Sequence, residues 1–373
     1  MGPTVHLLQG VIHVNETNLQ TYKLFIRPQD LSALKENIWS DDPVTGSLTI
    51  NNKKLDIDVV YRGSHIRKFK KKSYHVQFYK PKTYRGATEI HLNAEYKDPS
   101  LIRNKLSFDF FSSIGVLTPK AKPVVLVLNG RQEGVYMELE AVDENYFKNR
   151  GLTIHSIFYA VDGDANFSLI NDDRKPKNSL DLGYEVKYGT EEEQLLLNEF
   201  IFKTNTLTKA EFEKEIIKYV DVDKYLKWLA GVVCTQNYDG FVHNYALCRT
   251  ENTGLFEVLP WDYDATWGRD VHGKEMDYNY VRIEGFNTLS ARILDISNFR
   301  SNYCSLLNDI LENQFTIEFM EPKIADLHGK IRPHLLTDPY KRDYIKNFDE
   351  EPQFIMQFIK DRNAFLQAEL KKF

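Results

Sequence analysis

The sequence predicts an α+β protein of two lobes, and three observations carry the prediction. Up to about residue 140 the apolar residues alternate or gather in short β-branched and aromatic runs, whereas beyond about residue 190 they recur at helical spacing. No internal repeat, low-complexity tract or Gly/Ser linker separates the two halves, so they are expected to pack as lobes of one unit with a ligand cleft between them. The expected lobes are residues 1–150, strand-rich, and 151–373, helix-rich.

The elements follow in order. Strands are expected at 22–26, 55–61 and 74–78, the last alternating in Tyr74-His75-Val76-Gln77-Phe78 and stopping before Pro81. A helix is expected over 101–113, with Ser100 as its cap and Leu101, Leu106 and Phe110 near one face. Strands at 123–128 and 134–139 come next, joined by the turn Asn129-Gly130-Arg131. Helices are then expected at 191–202, 209–219, 223–235, 290–312, 317–331 and 351–372.

Composition narrows the function classes. A chain of 373 residues, 42% hydrophobic and 13% aromatic, can bury a large core. A net charge of -5 argues against nucleic acid as a partner, since such binding relies on a basic face that neutralises phosphates. No stretch approaches the ~20 apolar residues of a membrane span. The start, MGPTVHLLQGVIHV, lacks the features of a secretory signal, so no signal peptide and no membrane partner are expected.

Cys234, Cys248 and Cys304 form no CxxC pair and read as reduced packing residues. The histidines show no zinc-binding spacing, His243 reading as a strand residue, and there is no Gly-x-Ser-x-Gly elbow. The segment from Gly268 to Lys274 fits G-x4-G-K. Glu275 stands where a phosphate-binding loop needs Ser or Thr, however, and no apolar helix opens after it.

The chemistry concentrates between Asp221 and Asp264. A helix capped by Asp221 or Asp223 ends near Asn237-Tyr238-Asp239-Gly240. A strand at 241–247 and a second at 255–259 follow, around the turn Glu251-Asn252-Thr253-Gly254, and the second leads into Pro260-Trp261-Asp262-Tyr263-Asp264. A loop Asp, an Asn after four intervening residues, a hairpin and a second Asp stand in the order of the catalytic segment of protein kinases. There a carboxylate accepts the proton of the attacking hydroxyl, while an amide oxygen and another carboxylate hold Mg²⁺ against the nucleotide phosphates. Asp239 suits the first task, and Asn244 and Asp262 the second. Asp264, two residues on, is a second metal ligand or an alternative to Asp262.

Such a site also needs a cation on the phosphates, held by a carboxylate. Lys71 or Lys72, at the end of the basic run Arg67-Lys68-Phe69-Lys70-Lys71-Lys72, is the candidate, with Glu138 or Glu140 as its partner. The same run also reads as a solvated strand edge. Arg62-Gly63-Ser64 offers further phosphate contacts or a plain turn, and Trp261 and Trp267 are candidates to line the nucleotide site or to fill the core.

The segments Tyr61-Arg62-Gly63-Ser64, Lys71-Lys72-Ser73-Tyr74, Asp98-Pro99-Ser100-Leu101-Ile102-Arg103-Asn104, Gly134-Val135-Tyr136-Met137-Glu138-Leu139-Glu140 and Pro260-Trp261-Asp262-Tyr263-Asp264-Ala265-Thr266-Trp267-Gly268, with Asn237-Tyr238-Asp239, resemble the CotH family over nearly the whole chain. The resemblance implies a divergent protein-kinase-like two-lobed fold, ATP and Mg²⁺ or Mn²⁺ as cofactors, and phosphorylation of serines in basic, Ser-rich spore coat proteins. It also implies synthesis in the mother-cell cytoplasm and a place in the spore coat. It assigns Asp239 as the catalytic-loop acid, Asp262 as the metal acid and Lys71 or Lys72 as the lysine.

The departures from ordinary kinases are plain. There is no G-x-G-x-x-G loop, Asn237-Tyr238 replaces His-Arg, Asp264 stands where D-F-G has Gly, and no A-P-E follows. Two alternatives therefore stand beside the kinase: a coat-morphogenesis scaffold that does not turn over ATP, and a phosphoesterase holding two metals on Asp239, Asn244, Asp262 and Asp264.

Overall fold

A computed structural model describes residues 18–373. The opening stretch read above for a signal lies outside them.

The first part of the chain is a closed barrel. Its elements are β1 (Gln20–Ile26), α1 (Pro28–Glu36), β2 (Val44–Ile50), β3 (Lys53–Tyr61), β4 (Tyr74–Phe78), β5 (Glu89–Asn93), α2 (Arg103–Ser113), β6 (Ala121–Leu128) and β7 (Arg131–Glu140). The strands run in the order β1-β2-β3-β4-β5-β7-β6. Neighbours are antiparallel except β1 and β6, whose parallel pairing closes the ring. Alternation explains the interior: Tyr22, Leu24 and Ile26, then Leu55, Ile57 and Val59, then Tyr74, Val76 and Phe78 point inward and are buried.

β5 is buried along its whole length, Ile90 and Leu92 joining the barrel interior while Glu89, His91 and Asn93 lie on the opposite face. That mixture of polar and apolar residues hid it in the sequence. The β6–β7 turn places Asn129 and Gly130 at φ 49° and 80°, as a primed hairpin turn requires.

The second part carries a sheet of its own besides the expected helices. After α3 (Glu144–Lys148) come β8 (Ile154–Ala160), β9 (Tyr184–Tyr188), α4 (Glu191–Thr206), α5 (Lys209–Glu215), α6 (Val222–Thr235), β10 (Tyr245–Thr250) and β11 (Phe256–Pro260). They are followed by α7 (Thr288–Asp295), α8 (Ser297–Asn313), α9 (Ile317–Leu335) and α10 (Ile345–Leu370). The sheet order is β11-β10-β8-β9. The α+β class holds, with strands first and helices dominating later.

Several boundaries differ from expectation for local reasons. α2 begins at Arg103, and Ser100 is not its cap: the Asp98 carboxylate accepts from Arg103 N at 3.0 Å and from Ser100 N at 2.8 Å. The expected helix over 290–312 is two helices, parted at Ile296, whose backbone is extended (φ -78°, ψ 122°). The expected strand over 241–247 begins only at Tyr245, because Asp239–Phe241 forms a 3₁₀ turn. His243 is thus a loop residue. Glycine-rich 268–274 is a tight turn in which the Asp270 carboxylate accepts from His272 N and Lys274 N, and no helix follows before α7.

Trp267 belongs to the core. It is fully buried against Phe110 and Phe315, and its Nε1 donates to Ser107 Oγ at 2.9 Å. All three cysteines are free, and burial pushes the Cys234 thiol up to about 12. No described helix is long and apolar enough to cross a membrane.

Gly134 in β7 has φ 88°, and a Cβ there would overlap the buried carboxylate of Asp338. Gly134→Ala is expected to cost about 1–3 kcal/mol, read from the midpoint of urea unfolding at unchanged slope. A variant as stable as the parent would show that Asp338 can move aside.

Candidate active site

A cavity of about 900 Å³ lies between the barrel and the second sheet, lined by Arg62, Asn93 and Glu95 on one side and by Tyr159, Trp261 and Asp262 on the other. Its acidic floor is built from the end of α6 onward. Asp221 caps α6, accepting from Lys224 N at 3.1 Å, and the helix stops at Gln236 in the left-handed conformation (φ 57°). Asn237 Oδ1 then accepts from Gly240 N at 3.0 Å, which shapes the turn that carries Asp239. The Asp239 side chain is 29% exposed and His243 Nε2 stands 3.7 Å from its Oδ2.

The hairpin of β10 and β11 brings the next two residues together. Tyr245 pairs with Pro260, and one step further out Trp261 N donates to Asn244 O at 3.0 Å. Asn244 (φ 59°) and Asp262 (φ 56°) therefore flank the open end of the hairpin, both in the left-handed region. Asn and Asp tolerate that conformation better than most residues, but its cost is still on the order of 1–3 kcal/mol each, a strain typical of functional sites.

The segment after Asp262 is held by the barrel side. Tyr263 N donates to Asn104 Oδ1 at 2.6 Å, and Asn104 Nδ2 donates to Glu95 Oε1 at 2.9 Å. Buried Arg103 joins four further groups, one of them Ser100 Oγ, to which its Nη1 donates at 2.8 Å. Its Nη1 pairs with Asp98 Oδ1 at 2.5 Å, its Nη2 with Glu351 Oε2 of α10 at 2.8 Å, and its Nε donates to Thr266 O at 2.9 Å.

Carboxylates dominate the electrostatics. Burial, then the charges of Asp262 and Asp98, hold the Asp264 carboxyl well above its ordinary range. Burial, then Asp264 and Asp98, does the same to Glu95. Arg62 faces this acidic group: burial lowers its pKa, and the Asp262 charge is the first to oppose that. Trp261 stacks on Tyr159 at 5.5 Å between ring centroids, with the Arg62 guanidinium 5.6 Å from its ring.

The structure thus gathers Arg62, Asp239, Asn244, Trp261, Asp262 and Asp264 around one cavity, and Lys71 contributes to its wall. It places other candidates elsewhere. Lys72 Nζ donates to Arg67 O and lies 5.7 Å from the Tyr61 ring. Glu140 pairs with Arg150 at 2.6 Å, and Glu138 with Lys122 at 3.4 Å. Neither glutamate lines the cavity or holds a lysine of the basic run. The carboxylate beside Lys71 is Asp338, at 3.4 Å. Glu95 and Asp338 were not foreseen: nothing local distinguishes Glu95, and Asp338 lies 267 residues from Lys71.

Fold and site together define an α+β protein with a carboxylate- and amide-lined cavity between a β-barrel and a largely helical body. Residues 59–366 match the family described as CotH kinase protein, and the chain belongs to that family. It is 61% identical to inner spore coat protein H of Bacillus subtilis (strain 168), covering 95% of this chain and 99% of that protein. It is 30% identical to the inner spore coat protein H-like protein of the same organism, covering 81% of this chain and 86% of the relative.

Two solved structures align over much of the chain at low similarity. They are the HipA–HipB–operator DNA complex of a Shewanella oneidensis MR-1 toxin–antitoxin system (12% identity, 94% of this chain, 74% of that chain, TM-score 0.40) and the proinflammatory kinase CtkA of Helicobacter pylori (10% identity, 87% of this chain, 95% of that chain, TM-score 0.30). Likenesses this loose bear no weight for function.

Proposed function

We propose that the protein is an ATP-dependent protein serine kinase that acts on basic, Ser-rich proteins of the spore coat, made in the mother-cell cytoplasm and retained in the coat. The observation that carries the proposal is the convergence of Asp239, Asn244 and Asp262 on one cavity, in a chain of the CotH kinase family. A scaffold needs no such set, with Asn244 and Asp262 at strained backbone positions.

The donor set suits a hard divalent cation. Asp262, Asp264 and Asn244 offer oxygen donors on one cavity. Among the described residues no three His, Cys, Asp or Glu side chains converge tightly enough to hold a metal ion by themselves. Mg²⁺ or Mn²⁺ would be held by these residues together with phosphate oxygens of the nucleotide. When bound, the ion neutralises charge on the β- and γ-phosphates.

The chain's own residues do the rest. Trp261 and Tyr159 offer flat faces to the adenine base. Asp239, exposed to the cavity, orients the acceptor serine and takes its proton as Oγ bonds to the γ-phosphorus, while the bond to the bridging oxygen breaks and ADP leaves.

The test is transfer of label from γ-labelled ATP, with Mg²⁺ or Mn²⁺, to a basic Ser-rich protein by the parent and by Asp262→Ala. Transfer by the parent that vanishes in the variant is expected. A folded parent that binds ATP but never transfers label would favour the scaffold. A parent that releases phosphate from esters without nucleotide would favour the phosphoesterase.

Trp261→Ala is expected to raise the KM for ATP by roughly 3- to 10-fold with a smaller change in kcat, the size of one lost aromatic stack. An unchanged KM would remove Trp261 from the nucleotide site.

A further inference from the structure

We infer that the cation facing the phosphates in this cavity is Arg62, and that Lys71 is a structural residue locked to Asp338. The assignment deepens the kinase proposal and rests on it.

The Lys71 side chain has no solvent-exposed surface, and neither has that of Asp338. The ammonium donates to Val135 O at 2.5 Å, stands 3.4 Å from Asp338 Oδ2 and lies 4.6 Å from the centre of the Tyr136 ring. Asp338 is equally occupied: its Oδ2 accepts from Val135 N at 2.9 Å, and its Oδ1 accepts from Tyr340 N at 2.8 Å and Lys341 N at 3.1 Å. A Lys71 that swung toward a phosphate would leave this buried carboxylate without its only cationic partner among the described residues, and a buried charge stripped of its partner is strongly destabilising.

The lock also differs in origin from the usual kinase pair, in which lysine and carboxylate belong to the same lobe and present the ammonium to the phosphates. Here the carboxylate comes from the connection between α9 and α10 and draws the ammonium into the barrel wall. The neighbouring Lys341 is likewise engaged, donating to Tyr96 O at 2.9 Å and Asp98 O at 3.0 Å.

The other cations around the cavity leave Arg62 in place. Arg67 pairs with Asp41 at 2.6 Å, and Lys97 lies over the Phe69 ring at 4.8 Å without pairing with Asp262, whose charge acts first on Arg62. Arg62 follows β3 directly and its backbone is fixed, its N–H donating to Ser73 O at 3.1 Å. Half-buried Arg62 lines the cavity, and its guanidinium donates to Asn93 Oδ1 and lies beside both Trp261 and the charge of Asp262. A planar fork of donors next to the metal carboxylate is the geometry that grips phosphate oxygens two at a time.

The experiment compares full-length variants by ATP affinity, kcat/KM for label transfer and melting temperature. Arg62→Ala should lower kcat/KM by about 100-fold, with the melting temperature within about 3 °C of the parent, and Arg62→Lys should recover only part of the loss. The double variant Lys71→Met/Asp338→Asn removes both buried charges at similar volume and should keep ATP affinity and kcat/KM within about fivefold.

Arg62→Ala within about threefold of the parent overturns the assignment, whatever the double variant does. A folded double variant that loses about 100-fold also overturns it, in favour of Lys71. A parent that neither binds ATP nor transfers its phosphate overturns the kinase proposal itself, and the assignment with it.

Discussion

Asp239→Asn is expected to lower kcat for the proposed phosphoryl transfer by about 10²- to 10⁴-fold, the usual worth of a positioned general base, while leaving ATP affinity and the melting temperature nearly unchanged. Asp239 is partly exposed, and its contacts to the fold run mainly through its backbone carbonyl, which accepts from Val242 N and His243 N. An amide keeps those bonds and the side-chain volume, so only the ability to take a proton is lost. Asp262→Ala should differ in kind. It removes the oxygen proposed to hold the metal against the phosphates, so Mg²⁺-dependent stabilisation by ATP should fall together with turnover. Steady-state transfer and ATP-dependent melting, measured side by side, separate the two roles. Equal losses of ATP binding in both variants would sink the division of labour, and full activity in either would sink the mechanism.

Arg103→Met is expected to destabilise the protein by about 3–5 kcal/mol, since it leaves two buried carboxylates, Asp98 and Glu351, without their shared partner. Glu351 would retain Arg269 at 2.5 Å, so the greater loss falls on Asp98. Arg103→Lys should rescue little, because one ammonium cannot reach Asp98, Glu351 and Thr266 O from the directions a guanidinium fork provides. Urea unfolding gives the first quantity directly. The bond to Thr266 O also anchors the segment that carries Asp262 and Asp264, so activity should fall in Arg103→Lys even under conditions where that variant is folded. Parental stability in Arg103→Met would mean that the network is not what ties α10 to the acidic segment.

How much of the site was legible in the sequence depends on how local each relation is. That Asp239, Asn244 and Asp262 would come together could be read because one helix end and one hairpin order them. A hairpin's register carries residues at its two ends side by side without help from elsewhere. The strand expected over 241–247 nevertheless hid the 3₁₀ turn and the left-handed Asn244, because side-chain alternation does not report where a backbone leaves the extended region. β5 was passed over because both of its faces are buried for different reasons, one against the barrel core and one toward the cavity. The break at Ile296 was invisible because helical periodicity continues on either side of it.

Local relations along the chain account for the α+β class, the strand-rich beginning, most helices and the order of acids around the hairpin, since propensity, period and capping act between residues a few positions apart. Which charges remain available follows from packing between distant segments. Lys71 and Lys72 are adjacent and chemically identical, yet one is drawn into the barrel wall by Asp338 and the other rests on Arg67 O outside the cavity. Glu95 and Asn104 meet the acidic segment through contacts that span the chain. Desolvation and pairing depend on neighbours in space, and the neighbours that set the charge of this cavity come from α2, from β5 and the loop after it, and from the connection between α9 and α10.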